Sequence, residues 1–246
     1  MHHLEVTLLT SLLLWVALTS PLTETDRPIP PRKRVASTGA APTADVRELV
    51  QRVQRFYERT SDFGAGFEQV YTYASLGRKQ RSRGEVIFKK PGMMRWDYAT
   101  PSTKTFVLSG DRVLALDPEA LTLTKGQIDS NQLSAAVTFL FGRGRLLDEF
   151  FIQKTNCADC KGQQLELTPK RQERFQRLLL DVDNASGQVL VSTVVDPDGS
   201  TNRVTFLDFK SNVGIDDTRF KLKPPPGTQT VDLTATKSGA ERERAQ

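Results

Sequence analysis

The sequence predicts an α+β fold that is mainly β: a single strongly curved antiparallel sheet, an unclosed β-barrel of about ten or eleven strands, with a helical lid over an apolar cavity. Three observations carry the prediction. From Phe67 onward, apolar and polar residues alternate through most of the chain, the period of half-buried strands. Turn-forming groups separate those segments: Ser109, Gly110 and Asp111, then residues 184–187 (NASG) and 196–199 (DPDG). Helical spacing is rare, so the few amphipathic helices can lie across the concave face of such a sheet.

The chain has 246 residues and opens with an uncharged, mostly apolar run at residues 6–18 (VTLLTSLLLWVAL). That run has the length of a signal-peptide core and falls short of the roughly 20 residues of a membrane span. Small residues Thr19 and Ser20 follow, before Pro21. Residues 1–20 are therefore expected to be an export signal that is cleaved; His2, His3 and Glu5 replace the usual basic front, and an uncleaved anchor is the other reading. No cysteine ends the run, so the chain is not expected to be a lipoprotein itself. Residues 21–44 hold five prolines and no apolar periodicity, the composition of a disordered basic linker. Its Arg32, Lys33 and Arg34 are read as solvated charges, with contact to an anionic partner as the alternative. Residues 234–246 read as a disordered tail, which leaves a domain over 45–233.

Within that domain, Val46, Leu49, Val50, Val53 and Phe56 recur at helical spacing over residues 45–59, with Arg47, Glu48, Arg52 and Arg55 on the other face. Thr43 or Asp45 can cap this helix. The period then switches to two. Phe67, Gln69, Tyr71 and Tyr73 alternate with Glu68, Val70 and Thr72; residues 86–88 follow Gly84; Met94, Trp96 and Tyr98 oppose Met93, Arg95 and Asp97. Strands at residues 106–108 and 113–116 flank the Ser109-Gly110-Asp111 turn, and Leu121 and Leu123 mark another. Helical spacing returns at Leu133, Ala136, Val137, Leu140 and Phe141, stops at Gly142 and Gly144, and a short turn follows at Leu146 and Leu147. Strands resume at residues 150–154, 163–168, 175–182, 188–195 and 203–209, connected as a meander.

Composition narrows the function. Thirty-four Lys and Arg against 29 Asp and Glu give a net charge of +5. Both histidines lie in the first three residues, so a processed chain has no imidazole for a triad, a Cys-His pair or a histidine zinc site. Two cysteines alone cannot complete a tetrahedral metal site, and no metal or other cofactor is expected. The acids Glu85, Asp97, Asp111 and Asp117 scatter over strand ends without pairing, which argues against catalysis. Basic residues form no patch interleaved with aromatics, which argues against nucleic acid. Two readings of the apolar strand residues stand: Phe67, Phe88, Trp96, Phe106 and Leu116 fill a core, or they line a pocket for a lipid.

The stretch 84–98 (GEVIFKKPGMMRWDY), then Pro101, then Val107-Leu108-Ser109-Gly110-Asp111, resembles LolA, the family of periplasmic carriers of outer-membrane lipoproteins. The resemblance continues at residues 165–169 (LELTP) and closes at residues 213–216 (VGID) with Phe220, Pro224, Pro225 and Gly227. It implies an unclosed barrel whose cavity takes the acyl chains of lipoproteins released by an inner-membrane ABC transporter. The cargo passes through the periplasm, on a monomeric carrier, to an outer-membrane receptor. A related lipid-binding or lipoprotein-sensing protein of the same fold is the alternative. The resemblance implies that Phe67, Phe88, Met94, Trp96, Phe106, Leu108, Leu116, Val137, Leu140 and Phe141 contact lipid. Leu133, Val137, Leu140 and Phe141, with Val46, Val50 and Val53, would form the lid, although the same spacing fits a helix packed permanently on a sheet. In the family an arginine before the turn proline bonds the lid backbone; Lys90 stands there before Pro91, as a less directional latch or as a solvated charge.

Cys157 and Cys160 lie outside that pattern, in a polar loop between strands. An oxidising compartment favours a disulfide that clips the hairpin, and no helix N-terminus is at hand to activate a redox thiol.

Overall fold

The computed structural model describes residues 41–127 and 144–233. Helix α1 (Ala44–Arg59) buries Val46, Leu49, Val50, Val53 and Tyr57. This is the expected stripe except at its end, where Tyr57 takes the core position and Phe56 packs half-buried beside it. Thr43 is the N-cap residue, and its hydroxyl donates to the Asp45 carboxylate. Asp45 in turn pairs with Lys154 at 2.7 Å.

The strands are β1 (Asp62–Tyr73), β2 (Arg78–Lys89), β3 (Met93–Thr100), β4 (Lys104–Ser109), β5 (Arg112–Asp117), β6 (Thr122–Gln127), β7 (Phe150–Thr155), β8 (Gln163–Pro169), β9 (Arg177–Val182), β10 (Val189–Val195), β11 (Thr201–Ser211) and β12 (Gln229–Asp232). A one-turn helix α2 (Leu146–Glu149) precedes β7, and a 3₁₀ turn covers Asp217–Phe220. All twelve strands form one sheet in the order β12-β6-β5-β4-β3-β2-β1-β11-β10-β9-β8-β7. β7 and β12 stand at opposite edges, so the sheet is unclosed.

Three details differ from the sequence expectation. The sheet has twelve strands, because β12 pairs in parallel with β6 and so departs from the antiparallel rule. It is also two meanders joined at a seam, β1 against β11, so that β6 and β7 lie near opposite edges. Finally, β1 begins at Asp62: Gly64 and Gly66 fall on the outward positions, which hides the alternation of Phe63, Ala65 and Phe67.

Register places side chains in rows across the concave face. One row is Phe63, Phe88, Met94, Leu108 and Val113; the next is Ala65, Val86, Trp96, Phe106 and Ala115. Phe67 lies opposite Gly84, and a Cβ on Gly84 would sit 1.9 Å from the Asp97 carbonyl oxygen and 2.9 Å from the Phe67 ring. The missing side chain is what lets Phe67 lie across β2 next to β3. On the convex face, Ile87, Val107 and Phe220 form a small core with Met93, Leu114, Ile215 and Leu222. Arg95 ties the same segment down by donating to the Arg219 carbonyl at 2.9 Å.

Gly84→Ala is expected to destabilise the fold by about 2 kcal/mol or more in urea denaturation, because backbone rather than a flexible side chain blocks the added methyl. A variant as stable as the native chain would overturn this account of the β2–β3 pairing. The Asp45–Lys154 pair gives a pH signature. The hydrogen bond from Lys154, aided by Thr43, holds the Asp45 carboxyl down at about 2. A carboxyl lowered in the folded state stabilises above its unfolded value, near 3.9, and loses that contribution as pH falls through the folded one. Lys154→Met is therefore expected to melt below the native chain at pH 7, with the gap closing between about pH 4 and pH 2.

Candidate functional site

The concave face divides in two. Over β7–β10, α1 packs its stripe on Ile152, Leu165, Leu167, Leu178, Leu180, Val182 and Val189, with Phe150 and Phe175 at the margin. Over β1–β5 the lining is aromatic: Phe63, Phe67, Phe88, Tyr98 and Phe106, joined by half-buried Met94 and Trp96. Phe67 meets Trp96 edge-on at 4.7 Å and Tyr98 at 5.0 Å; Phe63 stacks on Phe88 at 5.1 Å and on Phe209 at 4.8 Å. Phe209 also reaches Phe56 of α1 at 5.9 Å, a ring contact between the two halves. The Trp96 indole N–H donates to the Met94 thioether at 2.9 Å, a weak acceptor suited to an apolar surface.

Of the residues singled out in the sequence, Phe67, Phe88, Met94, Trp96, Phe106 and Leu108 share this face. Leu116 does not: it pairs with Thr105, whereas Phe106 pairs with Ala115, so Leu116 points to the convex side. Leu133, Val137, Leu140 and Phe141 lie outside the described residues. Phe63, Ala65, Val113, Ala115 and Phe209 join the face unforeseen. The four on β1 and β5 could have been found by carrying parity through the Gly64 and Gly66 positions and through the Ser109-Gly110-Asp111 turn.

The face becomes polar toward the far ends of β1 and β11. The buried Tyr98 hydroxyl donates to Gln69 Oε1 at 2.9 Å, and Gln69 Nε2 donates to Asn202 Oδ1 at 2.8 Å. Beyond them the Tyr71 hydroxyl donates to Asp196 at 3.2 Å. Burial pushes the Tyr71 phenol up to about 12 and raises the Asp196 carboxyl. Among the described residues, no three His, Cys, Asp or Glu side chains are grouped to hold a metal. What this face offers a ligand is apolar contact, with hydrogen-bonding groups at one end.

Lys90 sits in the turn between β2 and β3, and its ammonium donates to the carbonyls of Tyr57 (2.7 Å) and Glu58 (3.0 Å) at the end of α1. The Tyr57 carbonyl also accepts from the Thr60 N–H at 3.3 Å, and both carbonyls lie in the last turn, at the negative end of the helix dipole. Burial lowers the Lys90 ammonium, with Glu58 acting in the opposite direction. The same joint is fixed from β11. Asn212 accepts from the Ser61 N–H at 2.7 Å, and the buried Asp62 carboxylate accepts from the N–H groups of Val213 and Gly214. Cys157 and Cys160 form a disulfide in the β7–β8 loop, with Cα atoms 5.4 Å apart. No helix of the described residues is long and apolar enough to cross a membrane.

A family model described as "Outer membrane lipoprotein carrier protein LolA" matches residues 58–223. An outer-membrane lipoprotein carrier protein from Pseudomonas paraeruginosa is 26% identical over 193 residues, 76% of this chain and 89% of its own length. One from Methylococcus capsulatus is 26% identical over 184 residues, 74% of this chain and 86% of its own. A LolA superfamily protein from Nitrosomonas europaea, NE2245, aligns with a TM-score of 0.41 at 10% identity, over 73% of this chain and 99% of its own.

The Lys90 contacts generate a test. Lys90→Met is expected to lower stability by about 1 kcal/mol and to speed amide exchange in the last turn of α1, whereas Lys90→Arg keeps both near native values. Unchanged exchange in Lys90→Met would show that Lys90 does not hold the end of α1.

Proposed function

We propose, for a chain that belongs to the LolA family of outer membrane lipoprotein carriers, that the aromatic half of the concave face receives the acyl chains of lipoproteins and carries them from the inner to the outer membrane. The observation that carries this reading is the division of the face. One helix covers the aliphatic half with its own stripe, and the half lined by Phe63, Phe67, Phe88, Trp96 and Phe106 takes none of that stripe. The names of the curated relatives support the cargo class.

The energetics define the task. Each buried CH₂ is worth about 0.8 kcal/mol, so an acyl chain of some fifteen carbons gains roughly 12 kcal/mol by leaving water. Such a chain does not cross an aqueous compartment unshielded, and it moves only between apolar sites of similar quality. The carrier has to cover the chain and then release it at low cost, which a rigid core does not do. In this reading Lys90 latches the end of α1, while Leu133, Val137, Leu140 and Phe141 complete the lid. No bond is made or broken, no cofactor takes part, and the work is done in the periplasm by a monomer. An inner-membrane ABC transporter loads it and an outer-membrane receptor unloads it.

The test uses Trp96 as the reporter, with Trp15→Phe removing the other tryptophan. The exported protein is mixed with a triacylated lipopeptide whose acyl chains carry bromine. Quenching of Trp96 emission, reversed by competing unbrominated lipopeptide, is the expected result. No quenching, from a protein that retains its fold, would overturn acyl binding on this face. Quenching by free brominated fatty acid and not by lipopeptide would replace the cargo with a simpler lipid.

A further inference from the structure

The convex side of the β1–β2 hairpin carries an arrangement of charge that the cargo reading does not use. Gln80 and Ser82 pair with Tyr71 and Gln69 of the concave side, so Lys79, Arg81 and Arg83 point outward from β2. On β11, Arg203 pairs with Val70, and Val70 pairs with Arg81, so two arginines flank one valine across three strands. At the usual spacings the patch measures about 10 Å across the strands and about 13 Å along them. Lys79, Arg81 and Arg203 make no ion pair among the described residues. Glu68 is the one acid in these rows, and it is taken by Arg83 at 2.8 Å. Of the neighbouring acids, Glu85 lies a row further along β2, while Asp198 is held by the Ser200 N–H and hydroxyl at 2.8 and 2.9 Å.

The end of the hairpin adds a second feature. Leu76 is 72% exposed, the most exposed large hydrophobic residue described, and it sits in the turn just before Arg78 and Lys79. Like charges gathered on one sheet face repel one another, and an exposed leucine gains nothing in water. A plane of negative charge with an apolar layer behind it relieves both.

We propose that this hairpin docks the protein on an anionic phospholipid bilayer, with Lys79, Arg81, Arg83 and Arg203 over the headgroups and Leu76 in the interface. An acidic protein segment would meet the charges equally well, but the face is convex and continuous and its most exposed apolar side chain, Leu76, projects from the hairpin end. Those are the features of contact with a surface. The inference is independent of the cargo: it concerns the opposite side of the sheet from the aromatic lining and is tested without any lipoprotein.

The probe is a vesicle of phosphatidylcholine, with or without phosphatidylglycerol, mixed with the exported full-length protein and recovered by flotation. Binding is expected only with phosphatidylglycerol, and it should fall steeply as salt rises through the physiological range. Each basic residue near such a surface is worth on the order of fivefold in affinity, so Lys79→Glu with Arg81→Glu should weaken binding by about 25-fold or more. Leu76→Ser should weaken it several-fold and leave the salt dependence in place. Lys170→Glu with Arg171→Glu makes the same change in net charge at the β8–β9 connection and should weaken binding much less than the hairpin pair. Three results would overturn the proposal. One is no flotation at low salt. Another is flotation indifferent to phosphatidylglycerol and to the hairpin pair, which would place membrane contact in the apolar residues 6–18. The third is an equal loss from the two charge-reversed pairs, which would reduce the effect to net charge.

Discussion

A concave face twelve strands wide has to be covered, and the described chain offers one helix of length to do it. At ordinary spacing the sheet extends roughly 55 Å along its hydrogen-bonding direction, whereas sixteen helical residues make a rod about 24 Å long and about 10 Å thick. The helix therefore cannot be shared evenly. It settles on the β7–β10 half, where branched aliphatic side chains interlock with its stripe, and the β1–β5 half is left with aromatic rings. Much of the rest follows from this inequality. The aromatic half lies beyond the stripe of that helix because the helix is too small for the sheet. The joint at the end of α1 then becomes important, since that is where the covered half meets the aromatic one.

That joint is built from polar parts. Lys90 reaches the last carbonyls of α1 from one side, while Asn212 and Asp62 bind backbone from the other. Bonds of this kind are directional and each is modest, so the helix end is placed accurately without being welded to the sheet. The stripe of α1 has the opposite character. Val50 and Val53 are fully enclosed, and Gly187 lets the β9–β10 turn approach so closely that a Cβ there would come within 2.6 Å of the Arg52 backbone. The body of the helix is therefore more firmly seated than its end.

Much of the fold was legible from periodicity, because half-buried strands advertise themselves by alternation. Alternation reports which residues share a face only while the register is known. Between Phe106 and Leu116 the hairpin turn decides it: Leu108 pairs with Val113, so Ala115 rather than the more hydrophobic Leu116 comes to lie beside Phe106. Choosing the larger side chain selected the wrong face. Strand β12 was missed for another reason. Its four residues are all exposed and are held to β6 by backbone alone, so nothing in their side chains marks a strand. The aromatic character of the site was legible in Phe67, Phe88 and Trp96. The contact of Phe209 with both Phe63 and Phe56 was not, since it depends on a pairing between the first strand and the eleventh.

That same seam has a consequence for how the molecule comes into being. β1 is flanked by β2, its immediate neighbour in the chain, and by β11, which is made after nearly everything else. Until β11 arrives, one edge of β1 presents unpaired backbone between Phe63 and Thr72, and Phe67 lacks Phe206, its partner across the seam. Contacts between such distant residues form late and slowly, because a long loop has to close first. A growing or translocating chain thus passes through a stage in which one meander is complete and its most adhesive strand is an open edge. Assembly has a long exposed interval built into its topology, and an escort for the nascent chain would be most useful during it.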